Sequence, residues 1–172
     1  MRQQLLRPHD VAVALELALR PGEAFVPLAQ AVGLSQREAH GAVTRLTQAR
    51  LLSTEGRRVL PAALLEFAVA GVPHAFPATI GPETRGVPTA AAAAPLAQEF
   101  PNAARYVWPT ADGPDRGQGL APLYPKAPMA SQRRPDLHAL LALVDAIRIG
   151  QARERKRARE LLHERLRPSV GK

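Results

Sequence analysis

The chain contains no cysteine, which excludes disulfides, thiolate metal sites and a cysteine nucleophile. No apolar run approaches the roughly 20 residues that cross a bilayer. The opening MRQQLLRPHD has no apolar stretch of the kind that directs a chain to export. A cytoplasmic chain with no membrane contact is therefore expected. The histidines, His9, His40, His74, His138 and His163, are scattered, with no pair at metal-ligand spacing on a helix. Gly81 to Gly86 lacks the Lys-Ser/Thr that a phosphate loop needs. No Ser stands in a Gly-x-Ser-x-Gly turn, and no two carboxylates can be given acid and base roles. An enzyme, a metal site and a cofactor are all unexpected on these grounds.

Acidic residues are also in short supply. Against 23 Lys and Arg there are 15 Asp and Glu, a formal net charge of +8, and most of the basic residues are Arg. Such a balance favours a polyanionic partner, of which nucleic acid is the commonest. A GC-rich genome is the other source of a composition rich in Arg and Ala. At 172 residues the chain has room for one domain, or for one small domain with an extension.

The most informative stretch is Leu28 to Leu52, LAQAVGLSQREAHGAVTRLTQARLL. It reads as a helix, a tight turn and a second helix. Leu28, Ala29 and Val32 give the first helix an apolar face. Gly33 falls where the backbone must take φ > 0 to end a helix. Ser35 is a good N-cap, and Glu38 three residues on completes a capping box. Around the second helix, at about 100° per residue, Ala39, Val43, Leu46 and Arg50 share one side with Ala42 beside them. Arg37, Gly41, Thr44 and Gln48 share the other, flanked by His40 and Arg45. Those side-chain types hydrogen-bond base edges and phosphates in a major groove. Gln36 and Arg37 occupy the helix N-terminus, the end that enters the groove in this motif. The stretch resembles the helix-turn-helix of bacterial transcription regulators, and the trailing Leu51-Leu52 suits the winged, MarR-like kind. A plain structural helix pair is the alternative reading.

The flanks fit the resemblance. Pro8 to Arg20 reads as an opening helix, with Asp10 in its first turn. Phe25-Val26 reads as a short extended piece that pairs with the wing, and Pro27 as the first position of the next helix. Leu51 to Leu60 fits a small hairpin turning at Glu55-Gly56, the wing, with Arg57 and Arg58 near its tip. The resemblance implies that such a tip touches phosphate or the minor groove; a solvated turn is the alternative. Pro61 starts a helix that is apolar almost all round apart from Glu66, and Gly71 ends it. It should be buried on several sides.

From Val72 the character changes. Of the 17 prolines, 12 lie between Pro61 and Pro128, which suggests a linker. Yet Phe76, Phe100, Tyr106, Trp108 and Tyr124 also lie here. An ordered, irregular wrap is expected, with Tyr106 to Tyr124 as a loose hairpin and Trp108 and Tyr124 docked on the helices. The segments His74–Pro77, Thr84–Thr89 and Pro122–Pro125 are similar to a set found in uncharacterised bacterial helix-turn-helix proteins. Pro135 opens one long last helix, kinked at Gly150. Its apolar stripe of Leu137, Leu140, Leu141, Val144 and Ile147 predicts burial, partly in a homodimer. Beyond Gly150, Arg153, Arg155, Lys156, Arg157 and Arg159 form a basic run that reads as secondary phosphate contacts or as a solvated helix face.

The expected fold is thus mostly α: a winged helix-turn-helix domain over residues 1–71 with a short β-hairpin wing, a Pro-rich irregular wrap over 72–134, and a long basic helix over 135–168. The expected function is sequence-specific binding of double-stranded DNA by a homodimeric transcription regulator. Ser35, Gln36, Arg37, His40, Thr44, Arg45, Gln48, Arg57 and Arg58 are the candidate DNA contacts. The alternative is a protein-interaction module, such as an antitoxin or adaptor that holds a partner protein.

Overall fold

The computed structural model describes residues 4–55 and 57–167. Pro8 stands at the first position of α1 (Pro8–Leu19), where its missing N–H costs nothing, and the Asp10 carboxylate accepts the Arg7 N–H at 2.8 Å. Helix α2 (Phe25–Val32) begins two residues before Pro27. Phe25 and Val26 are therefore helical rather than extended. Proline is tolerated at the third position because first-turn N–H groups have no intrahelical partner. Gly33 ends α2 with φ 72°, and Ser35 caps α3 (Gln36–Gln48) through the reciprocal bonds with Glu38 that the sequence predicts. Helices α1, α2 and α3 pack on one another. Leu15, Leu28, Val32, Ala42 and Leu46 meet between them.

Among the described residues the expected hairpin wing is reduced to a single bridge. Leu52 and Val59 form an isolated antiparallel bridge, supported by Ser53 N–H to Arg58 carbonyl at 2.8 Å and Leu60 N–H to Leu51 carbonyl at 2.9 Å. The Ser53 hydroxyl accepts the Arg58 N–H (3.3 Å) and donates to the Glu55 carbonyl (2.5 Å), so local side-chain bonds replace further ladder pairs. Gly56, on which the turn was placed, lies outside the described residues. Helix α4 (Pro61–Glu66) runs through a π-helical stretch, Phe67–Gly71, into α5 (Val72–Ala75). One face of this rod is buried, at Leu64, Ala68 and Val72. The other, with Ala62, Leu65 and Val69, is not, against the expectation of burial on several sides.

The middle of the chain is ordered and holds β structure. Strands β1 (Ile80–Thr89), β2 (Tyr106–Pro109) and β3 (Asp115–Leu120) close on one another. From Ile80 to Gly86 β1 pairs antiparallel with β3, and from Gly86 to Thr89 with β2, while β2 and β3 pair in parallel through Tyr106–Gln118 and Val107–Gly119. The expected loose hairpin of Tyr106 to Tyr124 is thus corrected, because both strands use β1 as their partner. Closure on so few residues needs glycine. A Cβ at Gly86 would collide with the Trp108 backbone, and one at Gly113 with Gly86 itself. With eight α-helices and these strands among the described residues, the fold is mixed α/β. The expectation of a mostly α winged helix-turn-helix does not hold.

Helix α6 (Ala127–Arg133) leads into α7 (Pro135–Ile149), which is buried without interruption from Ala139 to Ile147. Gly150 (ψ 160°) breaks the chain rather than kinking it, and α8 (Ala152–Leu166) is a separate helix packed on α7. The single long helix of the expectation is therefore two, and Pro168 lies outside the described residues. The α7 stripe is covered within the chain by α1, α6, α8 and the β1 end. The burial that suggested a homodimer is satisfied inside one copy. Trp108 (1 % exposed) and Tyr124 (3 % exposed) do dock on the helices. The Asp145 carboxylate, buried in the middle of α7, accepts the Trp108 indole N–H and the Thr89 hydroxyl, each at 2.7 Å, and the Arg148 guanidinium at 2.8 Å.

Where α1 meets the start of α7, the Glu16 carboxylate is fully buried beside Arg20 (3.1 Å) and Arg134 (3.2 Å), and its Oε2 has no hydrogen-bond partner among the described residues. Burial pushes its carboxyl up to about 7, the two arginines opposing only in part. A carboxyl raised from 4.5 on folding favours the folded state fully below the unfolded value, and that contribution is lost as pH rises through the folded one. Urea denaturation should therefore show stability falling between pH 4.5 and 7, and Glu16→Gln should flatten that fall. An equal slope in both proteins would contradict the assignment.

Candidate nucleic-acid interface

Helix α3 presents two faces, and burial divides them cleanly. Ala39, Ala42 and Leu46 are buried against α1 and α2, whereas Gln36, Arg37, His40, Thr44 and Gln48 are exposed. The Thr44 hydroxyl donates back to the His40 carbonyl at 3.1 Å, leaving its oxygen free to accept. The Ser35 hydroxyl is taken by the cap: it donates to Glu38 Oε2 at 2.7 Å and accepts the Glu38 N–H at 3.2 Å. The hydroxyl and the Ser35 N–H, which donates to the same Oε2 at 2.8 Å, hold the Glu38 carboxyl below the usual carboxylate range. Arg50, placed by the helical pattern on the inner face, is exposed beyond the end of α3 in a left-handed turn (φ 58°).

Arg45 is the residue that the structure moves. Its side chain is buried, and Nε and Nη2 donate to the two oxygens of Asp10, each at 2.7 Å. Nη2 also lies 3.1 Å from His9 Nε2. The same ring nitrogen lies 3.4 Å from Asp10 Oδ1, and burial lowers the His9 pKa against the pull of that carboxylate. The fork and the carboxylate match bidentately, and the pair staples α3 to α1. A Cβ at Gly41 would lie 3.1 Å from the Arg45 guanidinium. The glycine therefore gives the guanidinium slightly more room than a Cβ would.

Phe25 organises the edge of the exposed face. The His40 ring stacks on it at 3.5 Å between centroids, and the Arg57 guanidinium carbon lies 4.6 Å from its centre. Arg57 Nη2 also donates to the Gly22 and Glu23 carbonyls at 3.1 and 3.2 Å. The expected wing-tip arginine is thereby folded onto the turn before α2, while Arg58 stays exposed. Neither role of Phe25 nor that of Asp10 was found from sequence. Asp10 and Arg45 are 35 residues apart, and no local pattern marks such a pairing.

On α8, Arg153, Arg155, Lys156 and Arg159 are exposed. Arg157 is bound to Glu99 at 2.8 Å and to Glu160 at 3.3 Å. The opposite side of α8, Ala158, Leu161, Leu162 and Leu166, is in the core. Its charges are therefore accessible to substitution but not to truncation. No group of histidine and carboxylate side chains among the described residues could hold a metal ion, and no helix there is long and apolar enough to cross a membrane. The chain matches no protein-family model, no curated protein and no solved structure.

Removing Arg45 strands a buried carboxylate. Arg45→Ala should cost roughly 3–5 kcal/mol of folding stability. Arg45→Lys, which keeps the charge but not the fork, should lose less. Denaturation midpoints check this, and an Arg45→Ala protein as stable as the parent would show that the staple does not hold α3.

Proposed function

We propose that the protein binds double-stranded DNA in a sequence-specific way through the exposed face of α3, and acts as a transcription regulator. One observation carries the reading. Arg37, Thr44 and Gln48 project together from a helix whose other face is fixed in the core and stapled to α1 by Asp10 and Arg45. Arg, Gln and Thr are side chains that read base edges, and a rigid helix holds them in one register. Gln36 at the helix start and His40 stacked on Phe25 extend the face, and Arg58 lies beyond the Leu52–Val59 bridge as a phosphate contact. The formal net charge of +8 favours the same partner. Arg45 contributes to this reading by positioning the helix, and Arg57 by packing on Phe25.

The stripe that suggested a homodimer is buried within one copy, and a single recognition helix on a single site suffices for the binding proposed. The test is selection from random duplexes with the full chain at two salt concentrations, followed by substitution. Arg37→Ala and Gln48→Ala should each reduce discrimination against altered sites by about 1–3 kcal/mol, with thermal stability nearly unchanged. Unchanged binding of a selected duplex by both variants would overturn the proposal.

A further inference from the structure

The rod of α4 and its π-helical continuation has two apolar faces, of which one is buried and the other only half-covered. Ala62, Leu65 and Val69, spaced three and four residues apart, form the floor of an open groove against α8, with Pro61 at one end and Leu166 on the far wall. The groove encloses about 620 Å³. Leu60, 39 % exposed, continues the apolar surface next to Pro61. From Pro61 to Val69 the floor is about 12 Å long at 1.5 Å per residue. That length accommodates helix side chains at i, i+3 or i+4, and i+7, the spacing by which an amphipathic helix fills such a groove.

Charge identifies the occupant. Arg159 and His163 on α8 and Arg167 at its end line the groove at helical spacing, Lys156 stands one turn before Arg159, and all are exposed. Lys156, Arg159 and Arg167 have no ion-pair partner among the described residues; of the two carboxylates that line the groove, Glu160 is paired with Arg157 and Glu66 stands opposite on the rod, so the basic groups are in excess. A second copy of this chain docked face to face would set this basic stripe against itself, because a two-fold interface brings like patches together. We infer that the groove between α4 and α8 binds an amphipathic helix of a partner protein, its apolar side against Leu65 and Val69 and its acidic flank along Lys156, Arg159 and Arg167. This site does not depend on the DNA reading.

The test uses the 172-residue chain and two labelled peptides of about 16 residues. Both carry leucine at i, i+4 and i+7; one has glutamate on the flank and the other lysine. Fluorescence anisotropy should show the glutamate peptide binding and the lysine peptide not. Ala62→Asp, at an exposed position, and Arg159→Glu should each weaken the glutamate peptide about tenfold or more, equivalent to about 1.4 kcal/mol, with circular dichroism unchanged. Arg159→Lys should retain binding. Equal binding of the two peptides, or no effect of Ala62→Asp, would overturn the inference. If Ala62→Asp instead dissociates a dimer seen by light scattering, the occupant is a second copy and the inference fails. If removing Pro168 to Lys172 is needed before the glutamate peptide binds, the chain's own end fills the groove and it also fails. A loss of duplex binding by Arg159→Glu as large as its loss of peptide binding would assign the stripe to DNA and equally reject the partner helix.

Discussion

A single buried carboxylate holds the two kinds of structure in this chain together. Asp145 sits on the most enclosed helix, α7, and satisfies an indole N–H from β2, a hydroxyl at the end of β1 and the guanidinium of Arg148. Arg148 in turn donates to the Phe76 carbonyl at 3.0 Å, tying in the segment that leads to β1. Burial raises the Asp145 carboxyl, and the guanidinium and the other donors oppose that rise. A carboxyl group at this depth is tolerated only because its donors converge on it: removing Asp145 would strand all three, and removing one donor would weaken the pairing of the carboxyl itself. The small strand cluster has too few ladder bonds to stand alone, so its place on α7 rests on these polar contacts and on the burial of Trp108.

The order carried by α7 passes outward through α1. At one end of α1, Arg20 bonds Asp136 at 2.7 Å while Arg134 reaches back to Glu16 and Glu23, so the start of α7 and the end of α1 share one ionic knot. At the other end, Asp10 grips Arg45 of α3. The exposed face of α3 is thus positioned by a chain of contacts running from the centre of the molecule. The turn between α2 and α3 is covered by α6, since a Cβ at Gly33 would collide with Met129. Tyr124 donates to the Val32 carbonyl at 2.9 Å from the same side. The segment that composition marks as a linker is therefore a support for the candidate interface.

What could be read from sequence was local. The α3 cap, the αL glycine at 33 and the division of α3 into inner and outer faces follow from spacings of three and four residues, and the structure has each of them. The docking of Trp108 and Tyr124 followed from the improbability of aromatics in a free linker. The errors came from long-range contacts or from the limits of a short pattern. Arg45 lies at the border of the two faces, and only the presence of Asp10 across the interface turns it inward. Leu51 to Leu60 has hairpin composition, but the Ser53 hydroxyl competes for its backbone groups. The strands of the Pro-rich segment carry no clean alternation because glycines replace side chains at their crossings, so the period-2 signal is missing. The break at Gly150 could not be told from a kink, since both place glycine at the same position.

The central claim is that α3 offers its outer face to DNA while its inner face stays fixed. Chemical-shift mapping of the labelled full chain against a selected duplex tests this most directly, because it reads every position at once without altering any. Large changes are expected at the backbone and side-chain signals of Arg37, His40, Thr44 and Gln48, with the Arg45 Nε–H signal keeping its protected, carboxylate-bonded position. Changes confined to the α8 stripe, with α3 unperturbed, would contradict the claim.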